Sequence, residues 1–186
     1  PQLHSLSPNA GPFAGGTLAR DVVSLSNLGT AENLPIALIH AIKESNDRHR
    51  GWAFRKAQAA LAGITQPVVA VLGLAYTPHT NTLRRSAAVE LCRQLLASGA
   101  SVQAYDPLIT TPDPEHDDLP LAASATEALH GAHAAVICTE WPEFRDYDWP
   151  ALLACMARPV VIDANRLLEK AVAPVAGVVY LSVGRP

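Results

Sequence analysis

The 186-residue sequence has few aromatic residues, little net charge and no long apolar run. Aromatic residues make up 5% of the chain, charged residues 17%, and the formal net charge is −3. Because nucleic acids and anionic membranes are bound through clustered Lys and Arg, this charge balance argues against both partners. The longest apolar runs, residues 67–76 and 132–138, are too short to cross a bilayer. We therefore expect no nucleic-acid partner and no membrane partner.

The hydrophobic fraction of 49% excludes intrinsic disorder, which requires few apolar residues and a high net charge. The length is sufficient for one well-buried domain and an appendage, but not for two full-size domains. No basic segment followed by an apolar stretch opens the chain, so we expect no signal peptide. The chain begins at Pro1 rather than at methionine, and one interpretation is that it is a piece of a longer protein.

The three cysteines have neither metal-ligand spacing nor redox spacing. Cys92 and Cys155 lie in helical patterns, and Cys138 lies in the apolar run AAVICT. We interpret them as small hydrophobic residues in a reducing cytosol, which predicts a cytoplasmic protein. His130 and His133 flank a glycine at a predicted helix end, and we expect no metal site there or elsewhere.

Residues 1–65 are predicted to form part of a helical domain. Residues 1–16 have the composition of a loop, and a first helical pattern covers residues 20–28. A second pattern, with apolar residues three to four positions apart, begins near Leu34 and continues to Leu61. Such a helix would be roughly 40 Å long, so it would join two domains or pack against a partner chain. Gly51, in its middle, allows a kink or a break.

From Gln66 onward, short apolar runs alternate with helical patterns. Strands are predicted at residues 68–75, 101–107, 134–139, 159–164 and 178–184, and helices at residues 86–100, 124–130 and 149–157. Continuous Val, Ile and Ala strands separated by short helices are typical of a parallel sheet covered on both faces. We therefore predict an α/β fold for residues 66–186, a Rossmann-like parallel sheet with helices on both faces, preceded by the helical segment.

Ligands of such sheets bind beyond the carboxyl ends of the strands. The loop after the first strand, residues 73–86, has one glycine where a GxGxxG phosphate-binding turn has three. A free-standing NAD-binding domain is therefore disfavoured. Arg84 and Arg85 stand near the start of the next helix, where backbone N–H groups also favour anions.

Two later strand ends also carry polar residues. Asp106 ends the second strand, where Rossmann domains place a ribose-binding acid, but an Asp-Pro turn explains it equally well. Asp163, Asn165 and Arg166 end the fourth strand. Arg166 could offer a forked contact to a phosphate or carboxylate, although an exposed arginine is more often simply solvated.

Several ordered segments together resemble one enzyme family. The run VLGLAYTPHTNTLRRS is similar to the pattern GLAFKPNTDDLRES, and a helix and YDP follow it. TEWPEF and VVIDANRLL are similar to the patterns TEW.EF and VIDGRN, and GPFAGGTLARDVVSL is similar to GPGFGGSCFPKD..AL. These patterns are typical of the nucleotide-sugar 6-dehydrogenases, the UDP-glucose/GDP-mannose dehydrogenase family. Residues 34–62 match that family's central helix, which joins its two Rossmann domains and forms the dimer.

The resemblance implies oxidation of C6 of a nucleotide sugar to a carboxylate by NAD, through a thiohemiacetal and a thioester on a loop cysteine. It also implies that an N-terminal domain holds NAD and that residues 66–186 bind the nucleotide sugar. Phe13, Gly15 and Gly16 match the loop that lies along the sugar. Arg84 matches an arginine near NAD, and Arg166, or Asn165 in a register shifted by one residue, matches an arginine on the nucleotide-sugar side.

The sequence departs from this family at its chemical centre. After Gly16 the loop is one residue shorter than the family's loop and contains no cysteine. Thr17 cannot replace the thiol, because an unactivated hydroxyl is a poor nucleophile. Arg20 and Asp21 fall on the family's Lys-Asp pair, and arginine cannot exchange a proton near pH 7. Thr77 stands where the family has a lysine, and the NAD domain is absent from this chain.

We therefore predict the C-terminal half of an NAD-dependent nucleotide-sugar 6-dehydrogenase, inactive by itself. It is expected to form a homodimer through residues 34–62 and to bind a UDP-sugar weakly. NAD is expected in the absent domain and not on this chain alone. The alternative is a non-catalytic UDP-sugar-binding or dimerisation module, a degenerate paralogue that regulates or pairs with an active enzyme.

Overall fold

The computed structural model describes residues 12–13, 18–111 and 114–184. The chain divides into two compact units, Pro1–Trp52 and Ala53–Pro186. The division predicted at residues 65 and 66 follows the change in sequence character, whereas the structure groups the helix before that point with the sheet. The two units are therefore described separately.

The first unit contains two helices, α1 (Leu18–Ala31) and α2 (Ala37–Arg50), which pack against each other. Gly29 is buried near the end of α1, where a β-carbon would lie 2.5 Å from the Ile36 side chain. The Leu34 N–H donates to the Gly29 carbonyl at 2.9 Å and closes the turn between the helices. A glycine at this position thus permits the close approach of the turn to α1.

The long helix predicted from Leu34 to Leu61 is two helices. α2 ends at Arg50, and α3 covers Trp52–Leu61, so the break falls at Gly51, the residue that permits one. The Gly51 N–H caps α2 by donating to the carbonyl groups of Asp47 and His49. The helix also begins later than predicted, because Leu34 precedes Pro35 and the residue before a proline disfavours the helical conformation.

The second unit is built on a five-stranded sheet in which every pairing is parallel. Its strands are β1 (Val68–Leu72), β2 (Ser101–Tyr105), β3 (Ala134–Ile137), β4 (Val160–Asp163) and β5 (Val179–Leu181), in the order β2-β1-β3-β4-β5. Its other helices are α4 (Ala87–Ala97), α5 (Ala125–Leu129), α6 (Trp149–Ala154) and α7 (Glu169–Val172), with a 3₁₀ turn at Pro142–Asp146. The predicted Rossmann-like α/β fold is confirmed. The sequence did not predict α7 or the 3₁₀ turn.

Both faces of the sheet are buried. One cluster joins alternate residues of β1 to α5 and α6, among them Ala70, Leu72, Leu129, Trp149 and Leu152. The other alternate residues of β1, Val69 and Val71, are fully buried as well. α4 contacts β1 and β2, and its buried residues, including Leu91 and Leu95, lie outside that cluster. Helices therefore cover the two faces, which explains why the central strands β1, β3 and β4 are almost continuously apolar.

Candidate functional site

Asp106, directly after β2, lies at the edge of the sheet formed by the carboxyl ends of the strands. Its side chain is 2% exposed. Oδ2 accepts hydrogen bonds from the Leu74 N–H at 2.7 Å, the Ala75 N–H at 2.9 Å and the Trp141 indole N–H at 3.0 Å. Oδ1 accepts one from the Leu108 N–H at 2.9 Å. This carboxylate is already occupied by four donors of the protein, so the geometry favours a structural role over ribose binding.

Leu74 and Ala75 are held through their carbonyl groups as well. The Ser86 hydroxyl donates to the Leu74 carbonyl at 2.6 Å, and the Thr139 hydroxyl donates to the Ala75 carbonyl at 2.6 Å. Asp106, Ser86 and Thr139 thus bind all four main-chain polar groups of residues 74–75. We call these three side chains the 74–75 clamp.

The sequence predicted that β1 continues to residue 75, but the strand ends at Leu72. Gly73 explains this difference. Its φ is +85°, a conformation that favours glycine. A β-carbon there would lie 2.6 Å from Cβ and 2.7 Å from the backbone nitrogen of Thr139. The chain therefore leaves the strand at Gly73 and passes directly against the end of β3. Leu74 and Ala75 are apolar and buried, but they belong to a loop.

The loop at residues 76–85 carries two exposed arginines. Arg84 and Arg85 make no hydrogen bond or ion pair with the described part of the chain. Arg85 has a φ of +62°. The loop ends at Ser86, whose Oγ accepts from the N–H groups of Ala88 at 3.1 Å and Val89 at 3.4 Å and so caps α4. The structure therefore presents two unneutralised guanidinium groups here, and contact of Arg84 with NAD stays a prediction.

Trp141 connects the end of β3 to the same site. It is 2% exposed, and its indole N–H is satisfied by Asp106. The His79 ring packs against it edge to face, with ring centroids 5.5 Å apart and an interplanar angle of 81°. The sequence did not reveal this residue as part of the site. A signal was available, because a buried indole N–H requires an acceptor and Asp106 is the acid that ends β2, at the same edge of the sheet.

The end of β4 carries a second buried carboxylate. Asp163 is fully buried, and its Oδ2 accepts from the Leu168 N–H and the Tyr180 hydroxyl, each at 2.7 Å. Its Oδ1 and the buried Ser182 hydroxyl oxygen have no hydrogen-bond partner within the described ranges. Asp163 therefore faces the interior, and it does not present its charge to a ligand.

Asn165 and Arg166, both half-buried, lie just beyond Asp163 at this edge. The Asn165 amide donates to Glu140 Oε1 at 2.6 Å, which joins the segments after β3 and β4. Arg166 has a φ of +58°, and its Nη2 donates to the Val183 carbonyl at 2.7 Å. One N–H of the guanidinium is thus used to hold the end of β5. The contact of Arg166, or of Asn165, with a nucleotide sugar stays a prediction.

In the first unit, Phe13 is bound by a residue that the sequence did not single out. The Phe13 N–H donates to Asn46 Oδ1 at 2.8 Å, and Asn46 Nδ2 donates to the Phe13 carbonyl at 3.1 Å. Asn46, on α2, is 8% exposed and lines a cavity of about 410 Å³ together with Phe13. Gly15 and Gly16 lie outside the described residues. The predicted contact of these three loop residues with a sugar stays a prediction.

Arg20 and Asp21, which match the family's Lys-Asp pair, form an exposed ion pair on α1. The distance from Arg20 Nη2 to Asp21 Oδ1 is 3.2 Å, and the two side chains are 70% and 51% exposed. Because both side chains are solvated, this pair contributes little to stability. The described residues give it no buried environment of the kind that tunes catalytic groups.

The described cysteines and histidines form neither a nucleophilic site nor a metal site. Burial raises the pKa of the Cys92 thiol to about 12. Burial also raises the pKa of the Cys138 thiol, and the Cys92 thiol and the Asp163 carboxylate add to the effect. Neither thiol provides the thiolate that nucleophilic chemistry requires near neutral pH. Within the described ranges, no group of three or more His, Cys, Asp or Glu side chains could hold a metal ion.

Comparisons with known proteins agree with this architecture. The UDP-binding domain of the UDP-glucose/GDP-mannose dehydrogenase family matches residues 70–170. The chain is 29% identical over 177 residues to UDP-glucose 6-dehydrogenase TuaD of Bacillus subtilis, covering 94% of this chain and 38% of the relative. It is 33% identical over 181 residues to UDP-glucose 6-dehydrogenase of Rhizobium meliloti, and the match covers 96% of this chain and 41% of the relative. The structure of a UDP-D-ManNAc dehydrogenase of Pyrococcus horikoshii superimposes with a TM-score of 0.73 at 28% identity. The superposition covers 94% of this chain and 40% of that structure.

The fold, the parallel sheet with its polar strand ends and the domain match define the class of protein: a Rossmann-like domain of the UDP-glucose/GDP-mannose dehydrogenase type, with a helical segment before it. The chain belongs to the UDP-glucose/GDP-mannose dehydrogenase family. It spans about two-fifths of the length of the curated relatives it matches. In the described part of the chain, no helix has the length and apolarity needed to cross a membrane.

Proposed function

We propose that this chain is the nucleotide-sugar-binding and dimer-forming part of a nucleotide-sugar 6-dehydrogenase, and that the chain alone does not oxidise its ligand. The observation that carries the proposal is the distribution of charge at the carboxyl edge of the sheet. The buried acids, Asp106 and Asp163, point into the protein, whereas Arg84, Arg85 and Arg166 lie on the loops beyond β1 and β4. An edge of this kind suits a diphosphate.

Arginine is suited to this ligand because its planar guanidinium can donate two parallel hydrogen bonds to phosphate oxygens. β1 and β4 are separated by β3, so the starts of their loops are about 10 Å apart at the usual strand spacing. We infer that Arg166 binds the nucleotide diphosphate, using the guanidinium N–H groups that do not hold Val183. Asn165, held by Glu140, orients the segment that carries Arg166.

The sheet itself does not fit a bound dinucleotide. The turn after β1 holds one glycine, and the carboxylate at the ribose-binding position, Asp106, is saturated by four N–H donors. Arg84 fits a different role, a contact with the phosphates of NAD held by a domain outside this chain. NAD would supply the hydride acceptor in such an assembly, and the residues of this chain would bind and orient.

The loop that matches the active-site segment contains no thiol, since no cysteine precedes Cys92 in the sequence. A thiohemiacetal and a thioester both require sulfur, so the chain by itself cannot carry the covalent step. This observation also favours the second candidate function, a non-catalytic module that binds UDP-sugar or pairs with an active enzyme.

Thermal unfolding with nucleotide ligands tests the proposal. We expect UDP-glucose and UDP to raise the melting temperature of the chain more than NAD does, because a ligand that binds only the folded state stabilises it. Arg166→Ala should abolish the UDP-dependent increase. Arg158→Ala is the matched control, since Arg158 precedes β4 at the opposite edge of the sheet, where it donates to the Ala60 carbonyl.

A melting temperature that no nucleotide changes would refute UDP-sugar binding and leave the scaffold function. If Arg158→Ala also abolished the UDP-dependent increase in melting temperature, the carboxyl edge of the sheet would not be the binding site. Formation of NADH from UDP-glucose by the intact parent enzyme, with this loop unchanged, would refute the proposed inactivity.

The dimer is proposed from the exposed apolar surface of the first unit. Seven large apolar side chains on or between its helices are at least 38% exposed: Leu18, Val23, Leu25, Leu28, Leu34, Leu38 and Ile42. Leu38 is 72% exposed, and Ile42 follows it by one helical turn, so the two share a face of α2. Exposed apolar residues on one helix face favour an interaction site, and we assign the face of Leu38 and Ile42 to a second copy of the chain.

A further inference from the structure

We infer that the 74–75 clamp positions the arginine loop for ligand binding, so that Asp106, Ser86 and Thr139 act as positioning residues. This inference rests on the proposed function, because the loop matters only if Arg85 joins Arg166 at the nucleotide diphosphate while Arg84 meets the phosphates of NAD. None of the three side chains is exposed enough to touch a ligand itself, since they are 2%, 3% and 5% exposed.

The clamp binds main-chain groups that are buried away from solvent. Leu74 and Ala75 are 0% and 2% exposed, so water cannot satisfy their main-chain groups. Instead, the Asp106 carboxylate accepts from both N–H groups, and each carbonyl accepts from one hydroxyl, that of Ser86 or that of Thr139. Each donor or acceptor comes from a different segment: the end of β2, the start of α4 and the end of β3. The dipeptide is therefore fixed in position and in orientation.

The clamp also sets the direction in which the arginine loop leaves the sheet. Ser86 closes the loop at its base, because its hydroxyl binds Leu74 while its backbone precedes α4. The Tyr76 N–H donates to the Thr82 carbonyl at 2.9 Å, and this hydrogen bond joins the two sides of the loop. Arg84 and Arg85 directly precede Ser86, so a displacement of Ser86 moves both arginines, including Arg85 on the side of the nucleotide diphosphate.

Asp106 extends this control to two more strand ends. The same carboxylate that holds residues 74–75 accepts from Trp141 after β3 and from Leu108 after β2. The loops beyond three neighbouring strands are thereby joined through one buried group. A ligand meets a pre-formed surface, and the ordering cost of binding is reduced.

Thr139 offers the cleanest test because valine has its shape without the hydroxyl. In Thr139→Val the Ala75 carbonyl remains buried without a donor, whereas Thr139→Ser keeps the donor and loses only a methyl group. At about 1.4 kcal/mol for one such loss, Thr139→Val should weaken UDP-glucose binding about tenfold and speed exchange of the Leu74 and Ala75 amides about tenfold. Thr139→Ser should restore both quantities to near the native values.

Two further variants separate positioning from general loss of stability. Leu129→Ala removes a fully buried side chain of α5 outside the clamp, so it should accelerate amide exchange broadly without selecting residues 74–75. Asp106→Asn replaces one acceptor by an N–H donor. We expect it to reproduce the two effects of Thr139→Val, measured by calorimetry and by hydrogen exchange with residue resolution.

Identical ligand affinity and exchange in Thr139→Val and the native chain would overturn the positioning role. So would equal behaviour of the valine and serine variants. If the native chain fails to bind UDP-glucose, the proposed function fails, but the exchange rates of Leu74 and Ala75 still decide whether the clamp holds the loop.

Discussion

At the residue scale, Gly73 illustrates how one position combines two constraints. Its φ of +85° requires a conformation that side chains rarely adopt, and Thr139 occupies the space that a β-carbon would need. We expect Gly73→Ala to lower the free energy of unfolding by roughly 1–3 kcal/mol, measured by urea denaturation. Gly99→Ala is the control, because Gly99 has a φ of +88° and a β-carbon there would have no neighbouring atom within 4 Å.

The difference between these two variants measures the collision with Thr139, since both carry the same conformational penalty. Equal losses in the two variants would contradict the close approach described for Gly73. The sequence could not predict this contact, because Gly73 and Thr139 are separated by 66 positions and periodicity reports only on near neighbours. For the same reason it left the role of Asp106 open.

At the scale of elements, Arg93 and Asp118 join α4 to the segment after β2. Arg93 Nε and Nη2 each donate to an Asp118 carboxylate oxygen at 2.9 Å, and Nη2 also donates to the Glu115 carbonyl at 3.1 Å. The hydrogen bond from Arg93 lowers the pKa of the Asp118 carboxyl below its usual range. Folding thus favours the ionised carboxylate. The stabilisation is present above the pKa of the unfolded chain and is lost as pH falls through the lower pKa of the folded chain.

We therefore expect Asp118→Asn to lower the melting temperature at pH 7 and to have a progressively smaller effect as the pH falls below about 4. Added salt should also reduce the difference, because both side chains are nearly half exposed. Asp117→Asn, at the exposed neighbouring position, is the matched control and should change little. A difference between the native chain and the Asp118 variant that is independent of pH would refute the assignment to the charged pair.

The element boundaries show where sequence patterns succeed and where they stop. Continuous apolar runs located the central strands β1, β3 and β4, because these strands are buried on both faces. The edge strands β2 and β5 were also located, although both are partly exposed. Proline and glycine explain the helix start after Pro35 and the break at Gly51. The apolar character of residues 73–75 predicts a continuation of β1, but Leu74 and Ala75 lie in a buried loop whose main-chain groups are bound by the clamp. A pattern of hydrophobicity does not distinguish a buried strand from a buried loop.

At the scale of the whole molecule, the exposed leucines of the first unit predict association. We expect the native chain to be a dimer in light scattering at tens of micromolar and Leu38→Asp to be a monomer, because a buried unpaired carboxylate is costly. Leu108→Asp is the control, since Leu108 is an exposed leucine of the sheet unit at 51% exposure. A monomeric native chain, or a monomer produced equally by the Leu108 variant, would refute the proposed dimer surface.

Family membership was also predictable at this scale, because four motifs in a fixed order are far more specific than any one alone. The sequence further predicted which side chains follow β1 and β4, because each of these strands was located directly before the motif that carries those side chains. It could not predict that Arg166 holds the end of β5 or that Asn46 binds the main chain of Phe13. Both contacts depend on backbone atoms of distant segments, which leave no mark on residue type.

The order of the strands in the sheet determines which strands can pair first while the chain is being synthesised. β1 and β2 pair across α4 and are close in the chain, so this part of the sheet can form early. β3 must then add to the free side of β1, where Val69 pairs with Ala134, 65 positions later. Non-local pairing of this kind slows folding. Until β3 arrives, one side of β1, the most apolar strand, is an open edge, and the nascent chain is most prone to aggregate in that interval.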